Sequence, residues 1–239
     1  MPVKEQSFTV KELDSLVMNV ELTLVSIVQG VALAVLAQAS VPVVTGLDLA
    51  HFPYVASGLA VILLFWSRSL LHTFTVIRWP LEFGHNFLYV VITLVESILF
   101  TQVAAPLAWF VMTAAYGLFV WLLFAVDLRM IRRRLGEYNL PGANALLRAV
   151  EREQMLNVRR LMPAAVLFNA LAAALIWRAP DLFIARRAHA ALGCLQFAFA
   201  AGYLAYSARF YRRLLPLVVA AQYEWNGEEA PKETTDAER

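Results

Sequence analysis

Apolar runs about twenty residues long, separated by short polar breaks, dominate the chain. Six windows qualify, 20–40, 54–77, 86–104, 107–127, 161–178 and 188–208, each with few charges or none. A helix rises about 1.5 Å per residue, so about 20 predominantly apolar residues cross the roughly 30 Å of hydrocarbon in a bilayer. The second and third windows are parted by a short stretch holding Arg78, Trp79, Pro80 and Glu82, and the third and fourth by a tight connection ending at Pro106. Links that short make consecutive helices antiparallel neighbours.

Outside the windows, Thr9 followed by Glu12 is a capping-box pattern, and Leu13, Leu16, Val17 and Val20 recur at helical spacing. Residues 1–19 are therefore expected to form an amphipathic cytoplasmic segment that lies at the inner surface or runs straight into the first span. Residues 129–160 read as a basic cytoplasmic loop, passing through Pro141-Gly142 into a helix over 144–160 that serves as a solvated arm. Residues 209–239 read as a cytoplasmic helix followed by a disordered tail, because Glu224 to Arg239 holds six acidic residues, two basic ones and scarcely any apolar ones.

Composition supports the pattern: 60% of the 239 residues are hydrophobic and 16% charged, and mean hydropathy is +0.62. The expected fold is an all-α integral membrane protein with six transmembrane helices, four within 20–128 and two within 161–208. Basic residues flanking spans stay cytoplasmic, and Lys4, Lys11, Arg68 or Arg78, the arginines of 129–160, and Arg209, Arg212 and Arg213 alternate with loops 41–53 and 105–106, which carry none. Both termini are thus expected in the cytoplasm, with Arg178, Arg186 and Arg187 as the exception to the rule. Lys4, Glu5, Lys11, Glu12 and Asp14 lead into the first window without a small-residue cleavage pattern, so the first helix is expected to stay as an anchor. Arg132, Arg133 and Arg134 are either positive-inside charge or a site for an anionic lipid or protein partner.

The sequence excludes several chemistries. The only lysines are Lys4, Lys11 and Lys232, all outside the windows, so no retinal Schiff base can form. His51 and His189 lie near the outer face and His72 and His85 near the inner one, a poor arrangement for bis-histidine haem. G-x-S-G, H-E-x-x-H, Walker, G-x-G-x-x-G and C-x-x-C patterns are missing, and Cys194 stands alone. No enzymatic activity, cofactor, metal or nucleic-acid partner is expected.

Polar groups inside the spans remain, and these are functional candidates because hydrocarbon makes them costly. At 100° per residue, Asn19, Thr23, Ser26 and Gly30 share one stripe of the first helix, continued by Ala34 and Ala37, with Gln29 near its edge. Such a stripe suits close helix packing or a water-facing pore. Glu96 in the third span and Arg68 in the second are intramembrane charges whose depths differ by about 9 Å at the helical rise. Two readings stay open: a structural Arg68–Glu96 pair, or a Glu96 that faces a polar cavity and binds a proton or cation. Asn169 and Gln196 can line that cavity or bond between helices.

Gln29-Gly30-Val31-Ala32 in the first helix and Phe65-Trp66, His72-Thr73-Phe74 and Ile77 at the end of the second resemble bacterial six-span relatives of the lysosomal potassium leak channel. The resemblance covers the first half of the chain. That family carries Arg-x-x-x-Phe-Ser-Asp-Gly-Val in its first helix; here Thr23, Ile27, Val28 and Gln29 stand at the Arg, Phe, Ser and Asp positions. The resemblance implies a homo-oligomeric channel in the bacterial inner membrane, first helices at the axis, with Leu24, Ile27 or Val31 near the constriction. Permeation of a small cation such as potassium is the expected function. The alternatives are a small-solute or proton-coupled transporter using Glu96, and a non-transporting anchor or regulatory subunit.

Overall fold

A computed structural model describes residues 10–75, 83–135 and 141–226. The described residues are helical apart from tight turns. In chain order the helices are α1 (Val10–Thr45), α2 (Phe52–Thr75), α3 (Phe83–Phe100), α4 (Pro106–Leu135), α5 (Pro141–Leu156), α6 (Met162–Arg178) and α7 (His189–Asn226). Five segments are long and apolar enough to cross a membrane: Leu22–Thr45, Phe52–Leu70, Pro106–Leu135, Pro141–Arg178 and His189–Glu224. The apolar part of α3, Phe87–Phe100, is shorter. The chain is a helical membrane protein.

The packing partners form an open ring: α1 lies on α2 and α3, α3 on α4, α4 on α6, and α2 along α7, while α6 and α7 barely touch. Trp109, Tyr54, Phe100, Phe110 and Ile92 fill the main core. In lipid, burying such side chains gains little over leaving them among acyl tails, so close packing and interhelical hydrogen bonds must carry more of the association. A second, smaller core at one end joins Met130 and Ile131 of α4, Leu146, Leu147 and Val150 of α5, and Leu214 and Ala221 of α7.

Two expectations are corrected here. The helix of the basic loop is no solvated arm: Ala143, Leu146, Leu147, Val150, Glu153 and Gln154 of α5 are buried against α4 and α7. Helix α5 continues into α6 through a π turn, Asn157–Leu161, making one rod from Pro141 to Arg178. Pro163 accounts for the π turn, because its ring lacks an N–H and crowds the carbonyl four residues back, and widening the turn relieves the clash. The rod stops at Arg178 because Ala179 precedes Pro180 and is pushed out of the helical region, at φ −135°.

Glu224, too, departs from expectation: it belongs to α7 and not to the tail. Its carboxylate accepts hydrogen bonds from the Gly142 N–H at 2.8 and 2.9 Å and the Ala143 N–H at 3.2 Å, capping α5 from another helix. A carboxylate satisfies orphan donors there and complements the positive end of the helix dipole. Glu224→Gln is expected to lower stability by about 1 kcal/mol, read as a lower midpoint in thermal unfolding. Thr9 with its capping box, and the tail from 227 onward, lie outside the described residues.

Candidate functional site

Arg68 sits where α2, α4, α5 and α7 converge, its side chain 9% exposed. One terminal nitrogen donates to Glu153 Oε1 at 2.5 Å and the other to Gln154 Oε1 at 2.6 Å. The guanidinium also lies over the Phe124 ring, 5.2 Å from its centroid. Gln154 passes the chain on, donating to Asp127 Oδ2 and to the Phe124 carbonyl, each at 3.2 Å, and Asp127 pairs with His85 Nδ1 at 3.0 Å. On the other side, Asn157 in the π turn donates to Glu153 Oε1 at 2.9 Å and accepts from the Tyr203 hydroxyl at 3.0 Å. One network therefore links α2, α3, α4, α5, the π turn and α7. Next to it, the Tyr211 hydroxyl donates to the Ser67 carbonyl.

The Arg68–Glu96 pair is not formed. Arg68 reaches towards α5, whereas Glu96 projects from the side of α3 that faces α1, fully buried, and its Oε2 accepts from Gln29 Nε2 at 3.2 Å. Its Oε1 has no hydrogen-bond partner, nor does Gln29 Oε1. Tyr89, stacked on Phe65 at 4.8 Å, and Tyr116 face the same carboxyl. Gln29 accordingly points inward, on the buried face of α1 that adjoins the polar stripe.

Asn169 and Gln196 do meet: Gln196 Nε2 donates to Asn169 Oδ1 at 2.6 Å, and Trp109 Nε1 donates to Gln196 Oε1 at 2.6 Å. All three line a cavity of about 110 Å³ among α2, α4, α6 and α7, which Arg68, Tyr203 and Ser57 also line. Glu96 is not among its walls. Asn169 and Gln196 thus share a cavity with Arg68, and Glu96 lies outside it.

The stripe on α1 points away from its own chain. Asn19, Thr23, Ser26 and Gly30 are exposed, as are Ala34 and Ala37, while Val25, Gln29, Ala32, Leu36 and Ser40 form the buried face. Ile27 and Val31 flank the stripe at 62% and 56% exposure, and Leu24 is half-buried. The Thr23 hydroxyl donates to the Asn19 carbonyl and that of Ser26 to the Leu22 carbonyl, both at 2.8 Å. In the basic segment, Arg132 is exposed and pairs with Glu151 at 2.8 Å; Arg133 is exposed, whereas Arg134 is buried.

At the opposite end from the Arg68 network, the Tyr54 hydroxyl lies 2.9 Å from Nδ1 and 3.0 Å from the carbonyl of His189. The His51 ring lies 4.9 Å from that of His189, tilted by 40°, and holds Asp48 at 2.8 Å in the α1–α2 turn. The hydrogen bond from His51 keeps Asp48 below its ordinary value of 3.8. A depressed carboxyl stabilises the fold above its unfolded value and loses that contribution as pH falls through the folded one. Asp48→Asn is expected to flatten the acid-side fall of the thermal midpoint below about pH 4, leaving the midpoint at pH 7 lower than that of the parent.

Sequence reading did not find Glu153, Gln154, Asn157, Asp127 or His85. The signal lay in α5, where Ala143, Leu146, Leu147 and Val150 set a helical stripe that Glu153, Gln154 and Asn157 continue into polar residues. No protein-family model, curated protein or solved structure matches the chain.

Proposed function

We propose that the protein is a homo-oligomeric permeation pathway for a small cation in the bacterial inner membrane, with the α1 stripes of neighbouring copies facing a shared axis. The observation that carries this reading is the position of the stripe, centred on the one face of α1 that its own chain leaves uncovered. Ser26-x-x-x-Gly30-x-x-x-Ala34 lets backbones approach closely. The hydroxyls of Thr23 and Ser26 spend their protons on their own helix, so their lone pairs face outward, the polarity a cation needs in place of its hydration shell. Glu153, Gln154 and Asn157, by contrast, bond to Arg68 or to one another. Ile27 and Val31 then form the apolar constriction, six crossings place both termini in the cytoplasm, and the exposed Arg132 and Arg133 meet anionic headgroups there.

Reconstitution into liposomes tests this reading. Potassium flux that scales with an oligomer trapped by cross-linking in the bilayer is the expected result; a monomer passing no K⁺, Na⁺ or H⁺ current overturns it. A second reading, proton-coupled transport through Glu96, draws support from the partnerless oxygens of Glu96 and Gln29. It expects Glu96→Gln to abolish the pH dependence of flux while assembly stays intact, and an unchanged pH profile would refute it.

A further inference from the structure

We infer that the cavity among α2, α4, α6 and α7 is a binding site for a single alkyl chain carrying an uncharged oxygen head, taken from the bilayer through the seam between α6 and α7. The site does not involve α1, so it stands apart from the permeation reading. Its shape is a slot: Ser57 and Arg68, both on its wall, are eleven residues apart on one helix, about 16 Å. Its volume of about 110 Å³ is below the roughly 150 Å³ of an engineered apolar cavity that admits benzene. By that comparison the slot takes the head and the first few carbons of a chain whose remainder stays in the bilayer, and it does not take a ring system. Leu64, Val120, Phe124 and Met162 supply apolar walls.

Ser57 places the head, and Arg68 sets the charge the slot tolerates. Ser57 is 1% exposed, lines the cavity, and its hydroxyl has no hydrogen-bond partner, a cost that a bound oxygen removes. Arg68, at the far end of the slot, is held by Glu153 and Gln154. Its charge is already balanced by Glu153, so an ionised head would bring a buried charge without a counter-ion. An alcohol or ester oxygen brings none. The way in is lateral: apart from the Gln196–Asn169 hydrogen bond, α6 and α7 barely touch, and exposed Leu171, Leu175, Leu195 and Phe199 lie on the two helices that border the seam.

The test uses the full chain in nanodiscs with a long-chain alcohol bearing a diazirine on the carbons next to its hydroxyl, followed by peptide mapping. Labelling is expected on peptides that hold Val120, Met162 and Ala200. Ala200→Phe, which fills the slot, should remove that label. Ser57→Ala, which deletes only the hydroxyl, should weaken it about three- to tenfold, the range expected for one hydrogen bond, with the thermal midpoint unchanged. Label on these peptides that neither substitution reduces, label confined to outward-facing residues, or stronger labelling by the matching ionised fatty acid each overturns the proposal. Should Ala200→Phe fail to fold, Ser57→Ala and the alcohol-to-acid comparison decide it.

Discussion

Arg68→Met is expected to destabilise the protein by about 3–5 kcal/mol, because it leaves Glu153 as a buried charge without its partner. Glu153 is 2% exposed on its side chain, so water cannot screen the orphaned carboxylate. The substitution also removes the donor to Gln154, which ties Asp127 and the Phe124 carbonyl into the same network. Arg68→Met combined with Glu153→Gln should recover most of the loss, since replacing both charges removes the desolvation penalty along with the attraction. Arg68→Lys should fall between, as one ammonium cannot hold Glu153 and Gln154 in the geometry of the planar fork. Unfolding in a mixed-detergent titration measures all three. Equal losses in the single and double variants would show that the pair is not coupled.

Gly30→Leu is expected to abolish potassium flux in liposomes while leaving the isolated chain as stable as the parent to within about 0.5 kcal/mol. A Cβ added at Gly30 meets nothing within 4 Å, so the new side chain touches only what lies outside the chain. If that is the shared axis, a ring of leucines closes it. Gly58 provides the contrast: a Cβ there would lie 2.9 Å from Leu36 Cδ1 and 3.2 Å from Phe100. Gly58→Leu should therefore disrupt α1–α2 packing and lose flux through misfolding, which a lowered thermal midpoint reveals. Undiminished flux in Gly30→Leu would remove α1 from the pathway.

The helices were legible because apolar length is a one-dimensional signal: each of the six windows falls mainly on a helix, the third running past Phe100 into the turn before α4. Where α5 would go was not, since its charges advertise a surface while its Ala143, Leu147 and Val150 stripe reports a buried face. Charge content and amphipathic period gave opposite answers there, and the period was right. The Arg68–Glu96 expectation failed for a related reason. Helical rise gives depth but not the direction in which a side chain leaves its helix, and Glu153, outside the spans considered, was the nearer acid. Asn169 and Gln196 meet because they are matched in depth on the last two spans, but the cavity they line is not one that Glu96 faces. The outward direction of the α1 stripe could not be read from spacing alone, which yields a face without saying what covers it.

The π turn at Asn157–Leu161 leaves Pro141–Arg178 as one unbroken helix with its ends in two settings: arginines 148 and 152 are exposed on the first part, and Leu167, Leu171 and Leu175 on the second. A loop at that point would absorb a push on α5 by bending. A continuous helix, pinned where Asn157 is held by Tyr203, would instead pass part of such a push from the arginine-bearing arm to the apolar arm.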